Sequence, residues 1–495
     1  MRAVELLQAV RYEPAGEKIR FPDREISGVS IDSRDCREGS VFVCIRGSVC
    51  NGSRYAKEAV RHGAKVLVAA KEEQELIGKI LGQFSECEGV LVEDEREAAA
   101  LLAARYEGEP SRSMMMIGVT GTKGKTTTVS MIRKILSEAG IRTGMIGTTG
   151  QFDGKEHLPS EHTTPDAVTL QRSLARMRKN ACRACVMEVS SQALKLQRTK
   201  GICFDTGVFL NLGDDHIGRF EHADKEEYQA CKRKLFLQSR EAVVNADDPA
   251  WKQMLAGTGC PFQTFGIRNG DFRAVKIRTE SFVQGHPGVE FDIGKVHFQI
   301  PAPGIFTVYN ALAAVRVCMQ YGVTPKTAAG SLLDFQVKGR MQFFSIPGGG
   351  EAVIDYAHNA MSLESVLTTL RAYRPARLIT VFGCGGQRAK ERRFQMGEVS
   401  GRLSDLTVIT SDNPRWEAPE AIMDDIETGV RKTDGKYLRI TDRKEAVKQA
   451  VEMAGPGDLV VIAGKGHENT QEIQGVFYRM DEQELVEEAC TQKLL

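Results

Sequence analysis

A mostly parallel α/β fold in three domains is predicted for this chain, and three observations predict it. Through the middle of the chain, short apolar runs alternate with helical patterns, as they do in a mainly parallel sheet. The stretch Gly118-Val-Thr-Gly121-Thr-Lys-Gly124-Lys125-Thr126-Thr127 places a glycine-rich turn between an apolar run and a helical pattern. Near residue 338 the alternation restarts, and each new apolar run again ends in glycine or polar residues. The length of 495 residues fits about three domains. The expected divisions are residues 1–108, 109–338 and 339–495.

In the first region, Ser40 to Ile45 and Lys65 to Ala70 read as strands. Tyr55 to His62 reads as a helix closed by Gly63, and Glu95 to Arg105 as a second helix. Gly108-Glu109-Pro110-Ser111 has the composition of a linker. Asp32-Ser33-Arg34 lies between two strands and by itself reads as a turn.

In the central region, Met114 to Ile117 predicts a buried strand. The helix after the glycine-rich turn should bury Ile132, Ile135, Leu136 and Ala139 and end at Gly140. Such a turn bends main-chain N–H groups onto an anion, and the helix N-terminus adds partial positive charge. Lys125 would reach the β- and γ-phosphates of a nucleotide, and Thr126 or Thr127 would ligate Mg²⁺. The spacing departs from G-x-x-x-x-G-K, because Val119 stands where the first glycine would be. Three further apolar runs end in polar clusters: Glu188, Ser190 and Ser191; Asn211, Asp214, Asp215 and His216; Asn245, Asp247 and Asp248. Ligands bind beyond the carboxyl ends of such strands, so these clusters are expected to converge on the glycine-rich turn. Glu188 and His216 would then be Mg²⁺ ligands. Asp247-Asp248-Pro249 reads equally well as a turn.

In the last region, strands are expected to end at Asp355-Tyr356-Ala357-His358, at Phe382, at Thr410 and at Ala463. The clusters that follow hold Gly385-Gly386-Gln387-Arg388, Asp412-Asn413-Pro414-Arg415 and Gly464-Lys465-Gly466-His467-Glu468. This pattern reads as a doubly wound, Rossmann-like sheet with its own ligand edge.

Composition excludes several classes. Hydrophobic content of 42% and charged content of 26% are ordinary for a globular protein. Lys+Arg number 66 against 65 Asp+Glu, so no basic excess suggests a nucleic-acid partner. No apolar run is long enough to span a bilayer, and Arg2 and Glu5 bring charge too early for a signal peptide. The 12 cysteines are scattered through apolar segments, as reduced thiols in a cytoplasm would be. Cys182 and Cys185 form a lone C-x-x-C without a second pair, and read as small apolar residues at a strand.

Taken together, these motifs resemble the Mur ligases, the ATP-dependent amino-acid-adding enzymes of peptidoglycan synthesis. The resemblance runs along nearly the whole chain. Besides the glycine-rich turn it includes Asp32-Ser33-Arg34, Thr163-Thr164-Pro165, Glu188-Val189-Ser190-Ser191, Asn211 to His216, Tyr309-Asn310-Ala311-Leu312, Gly339-Arg340-Met341, Asp355-Tyr356-Ala357-His358 and Gly464 to Glu468. It implies an N-terminal UDP-substrate domain, a central ATP-binding domain and a C-terminal amino-acid-binding domain. Ser33 then falls at a uridine-contacting position, and Thr163, Thr164, Ser190 and Arg198 where the family grips the muramoyl-peptide. Gly121, Thr122, Lys123, Gly124, Lys125, Thr126, Thr127, Asn310, Arg340, Asp355 and His358 fall at nucleotide positions. Lys125, His216 and Lys232 fall at catalytic positions; Lys232 stands where the family carries a carbamylated lysine, N6-carboxylysine, beside Mg²⁺. Arg388, Asp412, Asn413, Arg415, Gly464 and Glu468 fall where the incoming amino acid binds.

Arg415 bears on the substrate. The resemblance is to the branch that adds the third peptide residue, and in it this arginine accompanies addition of meso-diaminopimelate. An arginine fork grips a second carboxylate, whereas a lysine substrate would bring an ammonium against it. The expected reaction is ATP-driven amide formation on UDP-MurNAc-dipeptide through an acyl phosphate, with hinge motion of the last domain. A cytoplasmic monomer handling small-molecule substrates, with no nucleic acid and no membrane span, is expected. The alternatives are a lysine-adding enzyme, a folylpolyglutamate synthetase, or a non-catalytic nucleotide-binding paralogue. Departures from the family pattern stand at Gln192, Leu196, Asn51-Gly52-Ser53, Ala360, Gln342 and Lys123.

Overall fold

The computed structural model describes every residue except 17–18, 48–49, 214–217, 219–221 and 495. The chain divides into two compact units, Met1–Arg273 with Tyr309–Ala328, and Ala274–Val308 with Ala329–Leu495.

The first unit holds two sheets. The N-terminal sheet orders its strands Glu13–Pro14, Glu88–Val92, Ala64–Ala70, Ser40–Val43 and Gly28–Ser30. All pairings are parallel except that of the short first strand. Strand side chains alternate between two apolar layers. Val66 and Val68 pack with Leu102 and Ala103 of the helix Glu95–Tyr106, while Leu67 and Ala69 pack with Ala59 and Ile77 of the helices Ala56–Arg61 and Gln74–Gln83. A sheet covered on both faces needs apolar runs rather than alternation, which is what these strands have. The stretch expected to be a linker is instead a short 3₁₀ turn, Pro110–Ser113, with Pro110 and Ser111 buried. Arg178 ties it down by donating to the carbonyls of Glu107 and Gly108, both at 2.8 Å.

In the central sheet, the parallel strands Ser239–Asn245, Phe204–Phe209, Met115–Thr120, Ala184–Glu188 and Thr143–Gly147 lie side by side in that order. The strand that feeds the glycine-rich turn is therefore central. The following helix, Lys125–Glu138, buries Val129, Ile132, Ile135 and Leu136. Ala139 is its C-cap and is exposed, so the expected apolar face stops one turn earlier; Gly140 follows with φ +81°. Cys182 and Cys185 are both buried, and Cys185 lies within the strand Ala184–Glu188.

The second unit contains a six-stranded sheet ordered Gln342–Ile346, Gly350–Asp355, Leu459–Ala463, Leu378–Phe382, Leu406–Ile409 and Tyr437–Arg439. Only the first pairing is antiparallel. Leu459–Ala463, last of the parallel strands in the sequence, inserts between Gly350–Asp355 and Leu378–Phe382. The loops leaving these carboxyl ends therefore start side by side, where doubly wound sheets bind ligands. The antiparallel meander Phe272–Val283, His286–Ile293 and Val296–Ile300 and the hairpin Thr470–Ile473 with Val476–Arg479 lie beyond the elements expected from the sequence.

Candidate active site

Asn211 latches the glycine-rich turn. Its Oδ1 accepts from the N–H groups of Thr122 and Lys123 at 3.1 and 2.9 Å, and its Nδ2 donates to the Lys123 carbonyl at 3.0 Å. Gly124 has φ +87°, and a Cβ there would stand 2.4 Å from Asn310 Oδ1. Only glycine fits at that point, and its close approach seats Asn310 against the loop. The helix begins at Lys125 with no side-chain cap and no acidic residue in its first turn. Its first N–H groups and its dipole are thus suited to an anion, which is the fit a nucleotide phosphate requires. Lys125 Nζ donates to the carbonyls of Gly121 at 2.8 Å and Thr122 at 3.2 Å. Lys232, only 1% exposed, donates from Nζ to the same Gly121 carbonyl at 2.9 Å. Its ammonium stands 4.4 Å from the centre of the Tyr228 ring, and the Tyr228 hydroxyl bonds Thr122 Oγ1 at 3.1 Å. Thr126 is buried and Thr127 half-buried in the first helical turn.

Next to the loop, Glu188 lies opposite Val119 in the sheet register. Its Oε1 accepts from the Thr148 N–H at 2.8 Å and its Oε2 from Thr148 Oγ1 at 3.3 Å. Thr163 joins through a 3.0 Å bond to Thr148 Oγ1. Thr164 Oγ1 donates to the Glu188 carbonyl at 2.8 Å and accepts from the Ser190 N–H at 3.1 Å. Arg198 Nη1 donates to the Thr164 carbonyl at 2.7 Å. The expected muramoyl-peptide residues and Glu188 thus form one connected cluster. His216, Asp214 and Asp215 lie outside the described residues. Of the third polar cluster, Asn245 reaches the Leu210 carbonyl at 2.9 Å, but Asp247 turns to the N–H groups of residues 267–269 and is a loop anchor.

Arg198 also lines a cavity of about 620 Å³ with Ser33, Arg34, Tyr55, Arg96, Asp166 and Leu196. Burial lowers the Arg198 pKa, Asp166 opposes that shift and the charge of Arg96 adds to it. Ser33 is buried and donates to Glu58 Oε2 at 3.1 Å.

The remaining expected nucleotide residues belong to the second unit. Asp355 accepts from the N–H groups of Met341 and Ala357, each at 2.9 Å. Burial nevertheless raises its carboxyl above the usual range, against the pull of Arg340. Arg340 lies over the Tyr356 ring, 4.5 Å from its centre, and the His358 ring packs edge-on to Tyr356 at 4.7 Å. A Cβ on Gly339 would stand 2.2 Å from the His467 backbone nitrogen, so this group abuts the loop after Ala463.

That loop carries two of the residues expected to bind the amino acid, Gly464 and Glu468. The Gly464 N–H donates to the Asp355 carbonyl at 3.1 Å. Lys465, fully buried, donates to Asn413 Oδ1 at 3.0 Å and Glu468 Oε2 at 2.9 Å, and Asn413 Nδ2 donates to the same Glu468 oxygen at 3.0 Å. A Cβ on Gly385 would lie 3.5 Å from Arg415 Nη1 and 3.8 Å from Arg388 Cγ, so both arginines flank one small residue. Asp412 Oδ1 accepts from the N–H of Asn413 at 2.6 Å. Sequence reasoning missed the support beneath. Arg443 and Glu482 form a fully buried ion pair. Arg443 donates to the carbonyls of Ser411 at 3.2 Å and Ala463 at 2.9 Å, and Glu482 accepts from the Gly466 N–H at 3.0 Å. The pair thereby joins two ligand-edge loops. It lies on two helices remote in sequence, Arg443–Met453 and Glu482–Leu494, and no local pattern announces it.

Family models match three successive stretches: the Mur ligase family catalytic domain at residues 25–107, the Mur ligase middle domain at 119–318, and the Mur ligase glutamate ligase domain at 339–466. The chain is 36% identical over 478 residues to a Clostridium botulinum protein named UDP-N-acetylmuramoyl-L-alanyl-D-glutamate–2,6-diaminopimelate ligase, covering 95% of this chain and 96% of that protein. A Syntrophomonas wolfei protein of the same name is 37% identical over 503 residues, covering 100% of both. A solved structure of a ligase so named superposes with a TM-score of 0.68 at 28% identity, covering 100% of both chains. The Thermotoga maritima MurF ligase, solved in complex with ADP, shares the fold at a TM-score of 0.62 and 20% identity, over 94% of this chain and 97% of that one. With its motifs in family order and such relatives along its whole length, this chain belongs to the Mur ligase family.

Proposed function

We propose that this chain is the ATP-dependent ligase that joins meso-diaminopimelate to UDP-N-acetylmuramoyl-L-alanyl-D-glutamate in peptidoglycan precursor synthesis. The observation that carries the reading is Arg415, held beside Arg388 at the ligand edge next to the Asn413–Lys465–Glu468 cluster. The names of the full-length relatives agree with it. Residues 1–108 would hold the UDP end, with Ser33 lining the cavity that Arg198 of the central region also lines; residues 109–338 would bind the triphosphate, and residues 339–495 the amino acid.

The chemistry follows from the groups present. A carboxylate is a poor electrophile, so the γ-phosphoryl group of ATP is first transferred to the D-glutamate side chain, with ADP leaving. The free amine of diaminopimelate then attacks the acyl carbon. A C–N bond forms, the bond to phosphate breaks, and the amine loses its proton. Lys125 and the helix N-terminus neutralise phosphate charge, while Thr163, Thr164, Ser190 and Arg198 orient the peptide carboxylate. Thr126, Glu188 and His216, with Lys232 as a carbamate, would hold Mg²⁺, which supplies charge neutralisation at the phosphates. Arg340, Asp355, His358 and Asn310 would hold the nucleoside part. No helix among the described residues is long and apolar enough to cross a membrane, which accords with a cytoplasmic enzyme; we take it as a monomer that binds no nucleic acid.

The test is phosphate release from ATP with UDP-MurNAc-L-Ala-D-Glu and a panel of amino acids. Meso-diaminopimelate should drive turnover and L-lysine should not. Turnover with lysine alone would reassign the substrate, and silence with every amino acid would favour a non-catalytic paralogue.

A further inference from the structure

Glu472 belongs to none of the motifs discussed above, yet it holds the arginine on which amino-acid choice turns. The strand Thr470–Ile473 lies along the loop that carries Arg415. The Arg415 N–H donates to the Glu472 carbonyl at 3.1 Å, the Gln474 N–H to the Arg415 carbonyl at 2.7 Å, and the Glu472 N–H to Asn413 Oδ1 at 3.0 Å. Arg415 has φ +54°, a left-handed conformation that a side-chain-bearing residue adopts at a cost. Its two backbone bonds to the hairpin keep it there. The hairpin turn fits beneath the next residue: a Cβ on Gly475 would meet the Trp416 indole at 3.1 Å.

The side chain is held as firmly. Glu472 Oε2 accepts from Arg415 Nε at 3.1 Å, and the Gly386 carbonyl accepts from Nη1 at 2.6 Å. Nη2 makes no hydrogen bond among the described residues. Both side chains of the ion pair are about one-fifth exposed, at 22% and 23%. Glu468 is engaged elsewhere, by Lys465 and Asn413. A free arginine loses much rotamer freedom on gripping a ligand, and anchoring it beforehand removes that cost from binding.

We propose that Glu472 is the positioning residue of Arg415: it fixes the guanidinium so that the free nitrogen faces the distal carboxylate of the diamino acid. The proposal rests on the function given above. It is tested with E472A and E472Q in the full chain, measuring KM for meso-diaminopimelate, ATP and the UDP-dipeptide separately. E472A should raise the diaminopimelate KM about tenfold and leave the other two within about twofold. E472Q retains an oxygen acceptor for Nε and should recover most of the loss. In an R415A background, E472A should add nothing, because its effect passes through Arg415. An unchanged diaminopimelate KM in E472A overturns the proposal. So does an undiminished effect in the R415A background, or a rise in all three KM values together with a lower Tm. A wild-type chain that releases no phosphate with diaminopimelate overturns the function itself, so the two failures are distinguishable.

Discussion

Lys125 and Lys232 donate to one carbonyl, that of Gly121, and so bring two ammonium groups to the edge of the phosphate loop. Lys232 is nearly inaccessible and packed against Tyr228. A buried ammonium is costly to desolvate, and its neutral amine is the form that reacts with carbon dioxide. The ammonium gives up one proton, the amine nitrogen bonds the carbon and gives up a second, and the cation becomes an anion suited to a magnesium site. If Lys232 acts as the carbamate, activity measured in carbon-dioxide-depleted buffer should fall, and bicarbonate should restore it. Lys232→Ala should lose about 100-fold or more in kcat and gain nothing from bicarbonate. Equal activity in both buffers would assign Lys232 to packing alone. The sequence marked this lysine only through the family resemblance: on a helix carrying Lys225, Glu226, Glu227 and Arg233 it looks like one more solvated charge.

Among the elements, the turn after Gly266 and the helix Ile305–Gln320 are tied together within the first unit by one carboxylate. Asp247 accepts from the N–H groups of Ile267, Arg268 and Asn269 at 2.6, 3.0 and 2.7 Å, and from the Tyr309 hydroxyl at 2.9 Å. Tyr309 precedes Asn310, so this anchor also steadies the residue seated on the glycine-rich turn. Burial alone would raise the Asp247 pKa, but these donors more than offset it and hold the carboxyl below the usual range. A depressed native value stabilises the fold above the unfolded pKa of about 3.9, and that stability is lost as pH falls through the native value. Asp247→Asn should therefore cost about 2 kcal/mol at pH 7, and the gap from wild type in urea melts should close below about pH 4. A gap that stays constant with pH would show that shape, not charge, is what the anchor supplies. The turn expected at Asp247 and Asp248 is present; of this cluster, Asn245 and Asp248 reach the segment that latches the phosphate loop, through the Leu210 carbonyl and the Leu212 N–H, both at 2.9 Å, whereas Asp247 does not. The parallel strands were legible because burial on both faces requires apolar runs. The meander was not. Phe272–Val283 is exposed at half of its residues and carries Arg273, Lys276, Arg278 and Glu280, and it pairs through charges such as Lys276 with Asp292 at 3.0 Å. Such a strand has no apolar run to read, and its partners are fixed only by the fold.

At the scale of the molecule, the expected ligands fall on three separate groups of segments. The cavity with Ser33, Arg96 and Arg198 and the phosphate loop with Asn310 belong to the first unit, and the amino-acid edge belongs to the second. Beneath the expected amino-acid edge, the fully buried Arg443–Glu482 pair joins the loops after Ile409 and Ala463. The motifs were legible because loop chemistry is local; this pair was not, because it joins residues far apart in sequence. Ligand-specific hydrogen exchange should separate the three groups, since a bound ligand suppresses the opening of the backbone that holds it. MgATP should slow exchange at residues 118–128, the UDP-dipeptide at 31–34 and 163–166, and meso-diaminopimelate at 411–415 and 464–474. L-lysine at the same concentration should leave 411–415 unprotected, because it offers Arg415 no carboxylate at its far end. Diaminopimelate protection confined to the first unit would remove Arg415 from the amino-acid site and, with it, the physical basis for the choice of substrate.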